Sequence, residues 1–398
     1  MELLLSSRPV RERAYKTISI LLGICLSLVI GEGVLRFLPF HTGLHSVRVN
    51  DNNPIYHFVP NRKFTYSRDW DFKNVHSRRT NNVGFVSDID YDPHGAGPLL
   101  VIIGDSYIEA VQNDYKDTVQ ARLSERVGSA GRVYAVAAGF APLSQYLAWA
   151  GFVRDTFHPD ALVVNVVGND FDQSLLSVQQ SFSRGVFAGM HYFVQDSGGQ
   201  LQSVRVDLEE APLRELLKSS ALAQYLARNV GVQNVVTRLS EAWQISRKKG
   251  DVPAFVGNVP SLADDARIQD SKRVVDAFLN MLPEKSGLPP RRILITVDGL
   301  RPELYDEKEL AKVESTYFAV MRRYLIDMAH NRGFEVVDLQ PLFIGRFQRT
   351  HERSERSLDY HWNEVGHEVM AEGVATSEVF AMTFTKTKRL ASHMTRQF

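Results

Sequence analysis

Short apolar runs alternate with longer amphipathic segments along most of the chain. Five runs have the length and composition of buried strands, at residues 99–103, 133–137, 161–167, 293–297 and 334–338. Apolar residues at helical spacing fill the intervals, at residues 107–127, 143–156, 308–331 and 363–380. Strands that are apolar on both faces are typical of a parallel sheet covered by helices, so this order predicts an α/β domain.

The alternation is interrupted between residues 171 and 290. Residues 191–206 predict a β-hairpin, because an Asp-Ser-Gly-Gly stretch with turn chemistry separates two strand-like runs. Residues 265–282 have a helical pattern. A stretch of about 120 residues is too long for a loop inside a compact domain. We therefore expect residues 171–290 to form an inserted α+β subdomain or cap.

The N-terminal region predicts a membrane segment. Residues 17–31 carry no charge, and the apolar character continues to residue 38. A helix over residues 17–38 is long enough to cross a hydrocarbon layer of about 30 Å. Glu32 and Arg36 interrupt the run near its end, and their spacing lets them pair on one helix face. A cleaved signal peptide and a buried soluble helix are the alternative interpretations.

The charge distribution around this segment predicts its orientation. Residues 1–16 contain Arg8, Arg11, Arg13 and Lys16, which favour a cytoplasmic N-terminus. We expect a single-pass anchor in a bacterial inner membrane, in contact with the lipid bilayer, with the remaining chain periplasmic or extracellular. Residues 39–96 are then a linker to the first strand of the sheet, and residues 383–398 a basic, solvated tail.

Composition excludes several classes of protein. The 398 residues contain 46 Lys and Arg against 46 Asp and Glu, so no net charge attracts the chain to nucleic acid. A single cysteine, Cys25, excludes an intrachain disulfide and a multi-cysteine metal or redox site. Nothing in the sequence predicts a cofactor or a metal.

The first candidate for chemistry follows the first predicted strand of the sheet. Gly104, Asp105 and Ser106 lie between that strand and a predicted helix. A tight turn there places Ser106 at the carboxyl edge of the sheet, where open α/β sheets bind ligands. The alternative is that Asp105 or Ser106 only caps the helix.

The second candidate lies before the last helix. A serine nucleophile needs a base, and His361 has a suitable ordinary pKa. Asp359, two residues away, is a candidate to fix the tautomer of that imidazole. His367 falls on the following helix, where we favour a structural role. A metal held by His361 and His367 lacks a third ligand nearby, so we predict no metal site.

Two further strand ends supply candidate oxyanion donors. Gly139 follows the second strand and can present a backbone N–H, and Asn169 follows the third and can offer a side-chain amide. Asp298 and Arg301 follow the fourth strand. These two residues are candidate substrate contacts, or they pair with each other, which is the interpretation we favour.

Together these motifs resemble the SGNH/GDSL hydrolase superfamily. The chain has Gly-Asp-Ser-Tyr at 104–107, Gly139, Gly-Asn-Asp at 168–170 and Asp-Tyr-His-Trp-Asn at 359–363. The resemblance covers residues 97–170 and 291–382. Asp359 and His361 are two positions apart where most members have three, and this D-x-H-W block is similar to that of the polysaccharide O-acetylation branch.

The resemblance implies a three-layer, flavodoxin-like fold and a catalytic triad. Ser106 would be the nucleophile and His361 the base, oriented by Asp359. The Ser106 N–H, the Gly139 N–H and the Asn169 amide would form the oxyanion hole. Candidate substrate contacts are Asp105, Tyr107, Asp298, Arg301 and Trp362, and we expect the two aromatic rings among them to be exposed for stacking on a sugar.

The expected activity is that of an anchored serine esterase. It would hydrolyse or transfer an O-acyl group, most simply acetyl, on a cell-envelope carbohydrate through an acyl-serine intermediate. A transferase would need a separate membrane protein as acyl donor. The alternative is a catalytically silent scaffold or glycan-binding module that retains the fold.

Overall fold

The computed structural model describes five stretches of the chain: residues 7–182, 185–209, 217–231, 252–356 and 360–384. The chain divides into two units. The first takes its residues from Met1–Leu44, Phe64–Ser77 and Glu210–Trp243. The second, larger unit takes His45–Lys63, Arg78–Glu209 and Gln244–Phe398.

The larger unit is built on a five-stranded parallel sheet. The strands of the chain, in order, are β1 (Lys63–Arg68), β2 (Asn74–Arg79), β3 (Leu99–Gly104), β4 (Arg132–Ala137), β5 (Ala161–Val166), β6 (His191–Gln195), β7 (Leu201–Arg205), β8 (Phe255–Val256), β9 (Val259–Pro260), β10 (Ile293–Val297) and β11 (Glu335–Asp338). The central sheet has the order β11-β10-β5-β3-β4, with parallel pairing throughout. Counted along the chain, this is the 2-1-3-4-5 order of flavodoxin-like folds, so the predicted fold class is confirmed.

Helices cover both faces of this sheet. Across both units, the helices of the described residues are α1 (Ser7–Leu35), α2 (Ser106–Glu109), α3 (Val119–Val127), α4 (Leu143–Phe157), α5 (Leu176–Ser181), α6 (Ala221–Gln224), α7 (Asp265–Ser286), α8 (Glu307–Val313), α9 (Tyr317–Asn331), α10 (Leu339–Thr350) and α11 (Glu364–Ala375), of which α1 and α6 belong to the first unit. Helix α3 packs on α11, and α11 on α10, while α4 and α9 both pack on α7. Leu100 and Ile102 of β3 join α3 and α11 in one core cluster, and every residue of β3 is buried, which requires apolar cover on both faces.

Residues 171–290, predicted from the sequence to form an inserted subdomain, contribute to both units. The predicted hairpin is present as the antiparallel pair β6–β7, but Tyr192 and Phe193 of β6 are buried within the larger unit. Helix α7 is 22 residues long and leads into β10 beside α4 and α9, so it is a covering helix of the sheet. The predicted boundary at residue 290 falls between helix α7 and strand β10, and the extent of an insertion stays a prediction.

Helix α1 contains the predicted membrane segment. Its stretch Glu12–Leu35 is long and apolar enough to cross a membrane, a criterion that a signal sequence also meets. Arg36 pairs with Glu32 at 2.7 Å, as the spacing predicts. Glu32 also accepts hydrogen bonds from the Ser220 hydroxyl and the Leu222 N–H, both at 2.9 Å, at the start of α6. Residues 385–398 of the predicted basic tail lie outside the described residues.

Candidate active site

Ser106 is the first residue after a sharp turn at the carboxyl end of β3. Asp105 caps the short helix α2 by accepting the Tyr107 N–H at 2.9 Å, and its other carboxyl oxygen lies 3.3 Å from the Ser106 hydroxyl. Burial raises the pKa of Asp105 to about 6. Asp105 therefore holds the turn, and the serine hydroxyl that the turn presents is partly exposed.

Glycine at position 104 is required by close packing. A Cβ there would lie 2.4 Å from Cγ1 of Ile108, in the next turn of backbone. The turn can therefore fold back over the strand end only with glycine at this position.

The structure brings His361 to Ser106. Nε2 of the imidazole lies 2.9 Å from Oγ of the serine, although the residues are 255 positions apart. A neutral imidazole protonated at Nδ1 accepts the serine proton at Nε2. The pair thus has the geometry of a nucleophile and its general base.

The backbone on both sides of His361 is anchored by buried side chains. The Tyr360 carbonyl accepts from Nη1 of Arg301 at 2.8 Å and from the Tyr107 hydroxyl at 3.3 Å. On the other side, the Trp362 indole N–H donates to Asp298 at 3.1 Å. Asp298 and Arg301 form a bidentate ion pair at 3.1 and 2.5 Å, so the two anchors are one connected network.

The five candidate substrate contacts are buried, which contradicts the expectation that the two aromatic rings among them are exposed. Tyr107 and Trp362 are 1% and 0% exposed and pack edge-to-face with ring centroids 5.2 Å apart, so neither can stack on a sugar. Asp105, Asp298 and Arg301 are equally buried. Asp298 and Arg301 pair with each other, which is the alternative that we favoured. The aromatic ring that is exposed beside the base is Tyr360, at 43%.

Asp359 and His367 are the other residues near His361 that the sequence singled out. Asp359 lies outside the described residues, so its role stays a prediction. His367 is fully buried, and its Nε2 accepts from the Asn113 amide at 2.9 Å. Burial lowers the pKa of His367 to about 3, which keeps it neutral. His367 therefore has the structural environment that the sequence favoured.

The predicted oxyanion donor Gly139 is already occupied. Its N–H donates to Oε2 of Glu109 at 3.1 Å, so its role as an oxyanion donor stays a prediction that requires this contact to open. Glu109 is 7% exposed, and burial raises the pKa of its carboxyl to about 8, against the opposing hydrogen bond from Gly139. This shift favours the neutral acid form of Glu109 near pH 7. A Cβ on Gly139 would lie 3.3 Å from Oε2 of Glu109 and 3.7 Å from the Ser106 Cβ, so both flank one glycine.

Asn169 lies in a helical turn after β5. Asp170 fixes this turn by accepting the Val167 N–H at 2.8 Å and the Tyr146 hydroxyl at 3.2 Å. Burial raises the pKa of Asp170 well above its usual range. Asn169 is 7% exposed. The backbone N–H of Asn169 donates to Oδ1 of Asn258 at 3.1 Å, and the side-chain carbonyl of Asn169 accepts from Nδ2 of Asn258.

Glu109 and Asn258 contact the proposed oxyanion donors but are not among the residues predicted from the sequence. Glu109 has a detectable signal, because it lies three residues after Ser106 and therefore on the same side of the helix that Ser106 begins. Asn258 has only the Gly-Asn turn of a short hairpin as its signal, and nothing in that turn points to Asn169. Among the residues that the structure describes, no group of three or more His, Cys, Asp or Glu could hold a metal ion.

Comparison with known proteins gives structural likeness only. No protein-family model and no curated protein matches the chain. A carbohydrate acetylesterase family member from Sinorhizobium meliloti is similar over 72% of this chain and 99% of its own, with 10% identity and a TM-score of 0.36. A GDSL-like lipase from Bacteroides thetaiotaomicron is similar over 69% of this chain and 85% of its own, with 8% identity and a TM-score of 0.32. LAE5, an alpha/beta hydrolase from the metagenome of Lake Arreo, is similar over 71% of this chain and 95% of its own, with 14% identity and a TM-score of 0.37.

Proposed function

We propose that this chain is a membrane-anchored serine esterase of the SGNH type. It hydrolyses or transfers an O-acyl group, most simply acetyl, on a carbohydrate of the bacterial cell envelope. The observation that carries this proposal is the 2.9 Å contact between Ser106 Oγ and His361 Nε2 at the carboxyl edge of a flavodoxin-like sheet. Ligands bind at that edge in open α/β sheets.

The reaction has two acyl transfers. Ser106 Oγ attacks the ester carbonyl carbon as its proton moves to Nε2 of His361. The bond to the alcohol oxygen then breaks, and the imidazolium returns that proton to the leaving alcohol. In the second half, water or a sugar hydroxyl gives its proton to His361 as it attacks the carbonyl carbon of the acyl-serine. The bond between that carbon and Ser106 Oγ then breaks, and the imidazolium returns the proton to Oγ, which restores Ser106 and neutral His361. Asp359 is proposed to orient the imidazole through Nδ1.

The oxyanion of each tetrahedral intermediate needs donors. The Ser106 N–H belongs to the first residue of a helix and has no partner within that helix. The side-chain amide of Asn169 is the second proposed donor. Removal of one such donor typically lowers kcat by about 10²–10³-fold. The Gly139 N–H becomes a third donor only if Glu109 turns away from it.

The carbohydrate and membrane parts of the proposal rest on other features. Helix α1 supports the anchor, and the basic residues before it support the proposed orientation, with the N-terminus in the cytoplasm and the sheet domain outside it. The D-x-H-W pattern at residues 359–362 supports polysaccharide acyl chemistry. Tyr360 and Phe140, 43% and 49% exposed, each neighbour a residue of the site and are proposed to contact the sugar.

The test uses the full chain in detergent micelles. Wild type is expected to hydrolyse p-nitrophenyl acetate and to react with a fluorophosphonate probe at Ser106, located by peptide mass spectrometry. Ser106→Ala is expected to lose both activities and to keep its melting temperature, because one partly exposed hydroxyl adds little to folding. Labelling at another serine, or undiminished hydrolysis by Ser106→Ala, would refute the assignment. Tight glycan binding without any hydrolysis would favour a silent binding module.

A further inference from the structure

The short hairpin β8–β9, which lies far from every predicted motif, contacts the proposed oxyanion donor. Asn258 lies at the turn of this hairpin, and both the oxygen and the nitrogen of its side-chain amide form hydrogen bonds with Asn169. Its Oδ1 accepts the Asn169 N–H at 3.1 Å, and its Nδ2 donates to the Asn169 Oδ1. Because one contact is to the backbone of Asn169 and the other is to its side-chain oxygen, the two together favour one orientation of the Asn169 side-chain amide.

The direction of both hydrogen bonds follows from one backbone group. A backbone N–H can only donate, so the atom of Asn258 that faces the N–H of Asn169 must be its carbonyl oxygen. The other branch of that amide is then the NH₂ group, which can only donate, so it must face the carbonyl oxygen of Asn169. Asn169 is thereby fixed with its own NH₂ group directed away from Asn258. An asparagine without such a partner can exchange its two branches by rotation.

The surrounding packing holds the hairpin in place. A Cβ on Gly168 would lie 2.8 Å from Oδ1 of Asn258 and 3.1 Å from Cγ2 of Val259, so the hairpin approaches the turn as closely as glycine permits. The Gly257 N–H donates to the Arg301 carbonyl at 3.2 Å. Arg301 is the residue that anchors the backbone beside His361, so one hairpin contacts both the donor and the base side of the site.

We propose that Asn258 is a positioning residue that orients the Asn169 amide as an oxyanion donor. This inference rests on the proposed esterase function and extends it, since it gives residues 255–260 a part in the reaction. Orientation in advance matters because a preorganised donor needs no rearrangement when negative charge develops on the carbonyl oxygen. A wrongly oriented amide would present its carbonyl oxygen to the oxyanion and repel it.

The decisive variant is Asn258→Asp, which has nearly the same shape. Its carboxylate still accepts the Asn169 N–H but cannot donate to Oδ1 of Asn169, so it favours the reversed amide. We expect kcat for p-nitrophenyl acetate to fall by about 10²–10³-fold, as for Asn169→Ala, with KM nearly unchanged. Exposed Asn52→Asp is the matched control and should keep wild-type kcat.

A double-variant cycle separates positioning from a general structural effect. In the Asn169→Ala background, Asn258→Asp should lower kcat by less than about twofold, because the group it orients is gone. An equal loss in both backgrounds, or an unchanged kcat in the single variant, would overturn the inference. If circular dichroism shows that Asn258→Asp does not fold, kcat of Asn258→Ala is measured in the wild-type and Asn169→Ala backgrounds and judged by the same criteria. Activity that survives in Ser106→Ala would instead refute the esterase function itself.

Discussion

The two sides of the Ser106 hydroxyl are built differently. On one side, the imidazole of His361 lies 2.9 Å from Oγ, and buried groups hold the backbone next to it. On the other side, two of the proposed oxyanion donors have polar neighbours: the Gly139 N–H donates to Glu109, and Asn258 contacts the backbone N–H and the side-chain carbonyl of Asn169. We call these the base side (His361, Tyr360, Trp362, Asp298 and Arg301) and the oxyanion side (Gly139, Glu109, Asn169 and Asn258).

The difference shows which parts of a site its motifs specify. Every member of the base side comes from a strand end or from the block before α11, and the parallel sheet brings those segments to one edge. On the oxyanion side, Glu109 and Asn258 come from outside the motif positions and engage Gly139 and Asn169. In the proposed mechanism the base side accepts the serine proton, while the donors Gly139 and Asn169 depend on their contacts with Glu109 and Asn258.

The largest expected effect is the loss of His361. In His361→Ala, kcat for p-nitrophenyl acetate should fall by at least about 10⁴-fold, close to the loss in Ser106→Ala, because nucleophile and base act as a unit. His367→Gln is the matched control. It alters a buried histidine that binds Asn113, so it should lower the melting temperature and change kcat only a few-fold. If His367→Gln abolished turnover while His361→Ala kept it, the base would be misassigned.

The next effect tests the anchor of the base side. Asp298→Asn removes the nearer of two buried carboxylates that pair with Arg301, since Glu355 lies 3.9 Å from its guanidinium, and all three side chains are at most 2% exposed. Removal of one partner of a buried pair typically costs about 3–5 kcal/mol of unfolding free energy. The exposed pair Arg323–Glu314 is the control, since Glu314→Gln should cost about 0–1 kcal/mol. Chemical denaturation measures both values, and equal costs would show that the ion pair does not anchor the loop.

The sequence predicts one side of this comparison better than the other. Gly104, Ser106 and His361 can be placed at one edge because the order of strands predicts where their carboxyl ends meet. The burial of Tyr107 and Trp362 could not be predicted, because an aromatic ring beside a motif packs inward only if another ring fits against it, here at 5.2 Å. The contact between Asn258 and Asn169 spans 89 positions and depends on side-chain orientation, for which the chain has no periodic signal.

The oxyanion side should respond to pH through Glu109. Its pKa is about 8 in the folded chain against an ordinary 4.5, so the folded chain keeps this proton between those pH values while the unfolded chain loses it. Stability contributed by this position therefore falls as pH rises from about 4.5 to about 8. Glu109→Gln cannot ionise, so its unfolding free energy relative to wild type should increase across that interval and level off above it.

Activity gives an independent measurement of the same group. Above its pKa, the Glu109 carboxylate faces the Gly139 N–H beside the developing oxyanion and should repel it. Wild-type kcat/KM should therefore decline above about pH 8, and Glu109→Gln should retain its rate there. Glu125→Gln, an exposed change, is the control and should follow wild type. Identical pH profiles for all three chains would show that ionisation of Glu109 does not affect the reaction.

The smallest expected effect concerns the exposed ring beside the base. Tyr360 contributes its carbonyl to the base side, but its side chain is 43% exposed and free to meet a substrate. Tyr360→Leu keeps the backbone contacts with Arg301 and Tyr107 and removes only the aromatic face. On an acetylated oligosaccharide, kcat/KM should fall by about three- to tenfold, the size of one aromatic contact. On p-nitrophenyl acetate, which has no sugar, the same variant should match wild type. An equal loss on both esters would mean that the ring supports His361 rather than the substrate, and would move Tyr360 entirely to the base side.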